Sequence, residues 1–220
     1  VTIYAYNGAT TGDGYSQHSP TTLSDALSRT AAGVGFTILL LPGSYVLGST
    51  ATISNSLTMI GPAVDNGTYN VTITTASDVD LFTLTGANCE IWGLRFLGAA
   101  AQVTSPLLID LDTGDFNKIH KCHFDCLNVA ALQAIDVAAT ATDTLIEGNY
   151  FTGQVTAVSQ INDLGARTRV IGNTFNLQNT APSAWTNVGV AAASGQTFSD
   201  NKIIGDGGAR TGMIVPHSGA

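Results

Sequence analysis

Charge is what this sequence has least of. Only 11% of its 220 residues are Asp, Glu, Lys or Arg, and Lys and Arg together number 8 against 16 acids. A net charge of −8 without any basic cluster excludes a phosphate-binding footprint, so nucleic acid is not an expected partner. Long apolar runs are missing too. The longest, Ile38 to Leu41, is strand-sized and far short of a membrane span, so no membrane partner is expected. The three cysteines, Cys89, Cys122 and Cys126, are odd in number and lack the spacing of a disulfide framework. No leader-type segment opens the sequence, and the expected site of synthesis is a reducing cytoplasm. Lys, Glu and Leu are too scarce for a surface-helical protein. Hydrophobic residues make up 44%, which is too apolar for disorder.

Gly, Ala, Thr, Ser and β-branched residues take the remaining space, and these favour strands and tight turns. They are also periodic. A short phrase recurs as Ile91 to Phe96, Ile119 to Phe124, Ile146 to Phe151, Val170 to Phe175 and Phe198 to Ile203, with starts 28, 27, 24 and 28 residues apart. A second, weaker series of apolar-x-apolar triplets keeps step with it. It reads Phe82-Thr83-Leu84, Ile109-Asp110-Leu111, Ile135-Asp136-Val137, Ser159-Gln160-Ile161, Val188-Gly189-Val190 and Met213-Ile214-Val215. Repetition at this period is the mark of a solenoid.

Stacked coils place equivalent strands about 4.8 Å apart. Alternation then points Ile91, Ile119, Ile146, Val170 and Phe198 inward as one ladder, and Phe96, Phe124, Phe151, Phe175 and Ile203 as another. Leu94, Cys122, Asn149, Asn173 and Asn201 fall at the bend of the phrase. Asn suits a left-handed bend and can bond along a stack, and Gly93, Gly148 and Gly172 just before it suit a tight corner. Ahead of the repeats, Thr22 to Asp25 resembles a capping box opening a helix over 22–32 that stops at Gly33. Strands are expected over Phe36 to Leu41, Tyr45 to Leu47, Thr50 to Ile53 and Leu57 to Ile60. The expected division is an irregular opening segment at 1–20, a solenoid at 21–216 and a tail at 217–220.

The Gly-Asn-x-Phe phrase, its period, and the helix leading through Pro42-Gly43 into strands resemble the pectin-lyase-like right-handed parallel β-helix. The resemblance covers residues 20 to 216. It implies an all-β, single-stranded parallel β-helix of about 24–29 residues per coil under a short N-terminal capping helix. It implies little about activity, because one fold hosts many functions.

Chemistry on such a solenoid belongs to outward residues. In the triplet series these read Thr83, Asp110, Asp136, Gln160, Gly189 and Ile214. Asp110 and Asp136 would neighbour each other across adjacent coils, a separation compatible with the roughly 5–9.5 Å between the carboxyl groups of a glycoside hydrolase. The alternative is two solvated carboxylates diverging from a convex face. Motifs of the polygalacturonases, pectate lyases and pectin methylesterases are missing. Arg167 and Arg169 lie at a turn without acidic neighbours in sequence. His120, Cys122, His123, Asp125 and Cys126 have the residue types of a metal site. Alternation puts both histidines outward and Cys122 inward, so no metal or other cofactor is expected. Asn66 and Asn70 begin glycosylation-type triplets. Trp92 and Ile171 face outward, with His120 and Glu147 between them, and mark either a partner surface or the floor beneath a loop.

Three functions fit. The first, implied by the resemblance to phage β-helices, is a noncatalytic virion structural protein. It would be a bacteriophage capsid decoration (cement) protein, made in the host cytoplasm, forming a homotrimer and binding the major capsid protein. The second is a polysaccharide-degrading enzyme or tailspike depolymerase fragment using Asp110 and Asp136 on a glycan. The third is a carbohydrate-binding adhesin module, which needs a row of exposed aromatics where only Trp92 and Tyr150 are expected. A last strand near Met213 without a capping helix would leave a solenoid end needing a cover, such as a sister subunit.

Overall fold

A computed structural model describes residues 1–8, 12–31, 33, 35–62, 69–104, 106–126, 132–153, 160–177, 186–188, 194–205 and 214–216. The chain is a right-handed parallel β-helix. Among the described residues, three parallel sheets of eight, seven and seven strands wrap one core. In each full coil a strand of the second sheet (for example Leu107–Leu111) passes a corner to the first sheet (Lys118–His120). It then passes a tight bend to the third (His123–Asp125).

The lead helix spans Leu23–Thr30, with Thr22 as its N-cap. The Thr22 hydroxyl accepts the Asp25 N–H at 3.1 Å, and Leu23 and Ala26 are buried. The stretch before it is more regular than its glycines suggest. Thr2–Ala5 forms a strand paired in parallel with Phe36–Leu40, and so begins the first sheet.

Two apolar stacks fill the interior. Ile91, Ile119, Ile146, Val170 and Phe198 are register partners along the first sheet, the first four at most 2% exposed. Phe96, Phe124, Phe151 and Phe175 stack along the third sheet with ring centroids 5.1, 5.0 and 4.7 Å apart. Parallel in-register pairing forces this, since identical positions must lie one coil rise apart.

The bends differ in detail from the sequence reading. The left-handed residue is the one before the Asn position: Gly93, Lys121, Gly148, Gly172 and Asp200, with φ from 51° to 73°. This frees each Asn to turn inward and serve the backbone of the neighbouring coils. Asn149 Oδ1 accepts the Cys122 N–H at 2.9 Å, and Asn149 Nδ2 donates to the Ile119 carbonyl at 2.9 Å. A second left-handed corner lies three residues before each first-sheet ladder residue, at Asn88, Phe116, Asp143, Arg167 and Gly195.

Candidate functional site

On the second sheet, strand Leu107–Leu111 pairs with Gln133–Val137 so that Asp110 lies directly opposite Asp136. Both side chains point out of the core and are half-buried. Thr83 precedes them in register and Asn162 follows. Burial is the main cause that pushes the Asp110 carboxyl up, to about 6, and the Asp136 charge adds to it, followed by Asp112 and Asp80. Burial also raises Asp136, against a hydrogen bond from Asn162 Nδ2 to Asp136 Oδ1 at 2.6 Å. The chemistry open to the pair is that of two carboxyls of which one holds its proton up to about pH 6, the division of labour of an acid and a base in mildly acidic solution.

The triplet series slips after Asp136. Gln160, expected outward, is fully buried, and the strand is Ile161–Asp163, which brings Asn162 into register with Asp136. The next strands, Thr186–Val188 and Ile214–Pro216, put Asn187 and Val215 in register with Asn162; Gly189 lies outside the described residues. The misleading signal was Asp163, a carboxylate at an inward position where an apolar residue is expected. It is 2% exposed, and burial pushes it up to about 6 while the Gly165 N–H and Gln196 Nε2 bond to it at 3.1 and 2.9 Å.

The remaining candidates are largely spent on bonds between coils. His120 Nε2 lies 2.8 Å from Glu90 Oε1, and its ring stacks on Trp92 at 5.9 Å. His123 Nε2 lies 2.7 Å from Thr152 Oγ1, with its ring between Tyr69 and Tyr150 at 5.5 and 5.2 Å. Burial is the leading cause that lowers both imidazoles. Cys122 and Cys126 are completely buried, so the two histidines and the two thiols do not converge. Burial pushes the Cys122 thiol up to about 12, which makes it a small core residue. Trp92 and Ile171 sit half-buried on the outer face of the first sheet. Asn70 is exposed and Asn66 lies outside the described residues.

Arg167 does have acidic company, supplied by the preceding coil, and the charge of Arg169 acts on the same carboxylate without an ion pair. Arg167 holds Asp143 through Nε–Oδ1 at 2.8 Å and Nη2–Oδ2 at 2.6 Å. The two arginines, Asp143, Phe116, Gly195 and Thr197 line an open cavity of about 410 Å³ at the second left-handed corner. Phe116 is 61% exposed there with φ 60°. The corner residues share no side-chain type, and only their offset of three residues before each ladder position is constant.

No family model and no curated protein matches the chain. Solved structures do. A rice weevil pectin methylesterase shares 14% identity at a TM-score of 0.53, over 84% of this chain and 62% of the enzyme. Escherichia coli YbhC shares 12% at 0.52, over 91% and 71%. ORF18 of Geobacillus virus E2 shares 11% at 0.47, over 97% and 62%. The chain thus spans about 62% of the length of the weevil enzyme. At these identities the likeness shows the right-handed parallel β-helix fold alone.

Proposed function

We propose that this chain is a noncatalytic β-helical structural protein of a virion, a capsid decoration protein that acts as an oligomer. The observation that carries the reading is where the outer polar side chains go. Arg95 bonds Asp125 at 2.7 Å, His120 bonds Glu90, Arg167 bonds Asp143, Asn162 bonds Asp136, and Asn176 Nδ2 bonds the Tyr150 hydroxyl at 2.7 Å. Each of these joins one coil to the next, so the outer faces brace the rod. A brace of this kind, with low charge and a parallel-sheet core, suits a load-bearing shell component. The composition and the reducing-compartment cysteines agree with that role.

The test is co-purification. Particles from the source that carries this gene, banded on a density gradient, should contain the chain at many copies each. Finding it only in the free soluble fraction would overturn the reading.

A second reading is favoured by one observation. Asp110, raised to about 6 and directly opposite Asp136, has the makings of a general acid for a glycan. Under that reading the chain cleaves a polysaccharide lying across the second sheet.

A further inference from the structure

The corner cavity and the acidic face lie side by side on one flank of the rod. Within a single coil the chain runs from Asp110 on the second sheet, through the exposed Asp112, to Phe116 at the corner. One patch is acidic: Asp110 lies directly opposite Asp136, with Asp112 two residues on and Asp80 nearby, and after burial the charges of these three add to the rise of Asp110. The other is aromatic and of mixed charge: Arg167 is paired with Asp143, the exposed Asp115 adjoins Phe116, and Arg169 adds a second cation at the rim. Phe116 stands 61% exposed in a left-handed conformation that a bulky residue adopts only with strain. The same corner position is Asn in one coil and Gly in another, residues that adopt the conformation readily. Gly195 leaves the notch open beside the stem of Arg167. Arg169 is exposed at the rim and, among the described residues, has no ion-pair partner within 4 Å. Two of the eight Lys and Arg residues of an acidic chain are thus held at a strained aromatic corner.

We propose that this corner is a self-association surface, and that its occupant is the acidic strip of a second copy of the chain, built from Asp80, Asp110, Asp112 and Asp136. The inference rests on the oligomeric reading above. The match is one of charge and shape. Arg169 brings an exposed guanidinium fork, which suits carboxylate geometry. Phe116 supplies the apolar contact that excludes water around the charges. The contact is heterologous, patch to different patch, and such contacts form rings when the rotation closes. In a ring of three parallel rods each copy meets its two neighbours through two different strips on one flank. The corner and the acidic face are placed in that way. An arriving guanidinium would also offset the like charges that, after burial, add to the rise of Asp110.

The test is a charge swap on the full chain, read by sedimentation velocity at low and high salt, with circular dichroism confirming that each variant is folded. Arg169→Asp and Asp112→Arg should each weaken association about tenfold or more. The double variant should recover most of the loss, since it restores the opposite pair with its signs exchanged. Phe116→Asn should weaken association while leaving thermal stability equal or higher, because Asn adopts the left-handed corner more easily. Single swaps that leave a trimer intact would overturn the surface but spare the oligomer. A double variant no better than the singles would also overturn it, and would point to another occupant such as an acidic glycan. A wild-type chain that stays monomeric at every concentration would overturn both the surface and the oligomeric reading.

Discussion

Asn173 and Asn149 are joined twice across adjacent coils. Asn173 Oδ1 accepts the Asn149 backbone N–H at 2.8 Å and its side-chain Nδ2 at 3.1 Å, while Asn173 Nδ2 donates to the Ile146 carbonyl at 2.9 Å. Asn173 is completely buried. Replacing it with Ala would strand an N–H and a carbonyl away from water. Asn173→Ala should therefore cost about 2–4 kcal/mol, measured by urea unfolding. Asn201→Ala, near the partly buried end of the stack, should cost less.

The phenylalanine stack gives an independent expectation. Phe124 lies between Phe96 and Phe151, with no exposed surface. Phe124→Ala should cost about 3–5 kcal/mol and Phe124→Leu clearly less, because Leu refills part of the cavity. Equal losses for both would show that the ring geometry, and not the filled volume, sets the stability.

The pH dependence can be read from Asp110 and Asp163, the carboxyls raised to about 6. Each holds its proton in the folded chain up to about pH 6, against a normal value of 3.8. Between those values the folded state binds more protons than the unfolded state. Their contribution is thus fully present below about pH 4 and is lost as the pH rises through about 6. In melting curves from pH 4 to 7, Asp163→Asn should gain on the wild type as the pH rises. A constant difference across that range would mean that Asp163 is ionised throughout.

The carboxylate pair can be tested directly for chemistry. A structural role predicts that Asp110→Asn leaves a panel of glycans uncleaved, as does the wild type, and makes the chain slightly more stable at pH 7. Cleavage by the wild type that disappears in Asp110→Asn would favour the polysaccharide reading.

The period of the solenoid was legible because parallel stacking repeats the same constraint in every coil. Ile, Asn and Phe recur where the bend and the core demand them, and the parallel β-helical coil follows from that. The second sheet was harder to read, because its signal is only an apolar-x-apolar triplet. Asp163 broke that signal, being an inward carboxylate satisfied by Gly165 and Gln196, and the register slipped by two residues at Gln160. The corner at Phe116 was hidden for a different reason. Its occupants, Asn88, Phe116, Asp143, Arg167 and Gly195, share a backbone angle and no side-chain chemistry. The ion pair between Asp143 and Arg167 spans 24 positions, so nothing local in the sequence announces it.

Oligomerisation underlies both the proposed shell role and the corner surface. The most direct test is the solution mass by light scattering behind a sizing column, over a wide range of concentration. A stable mass of three times the 22.6 kDa chain is the predicted result. A single-chain mass at every concentration would contradict it.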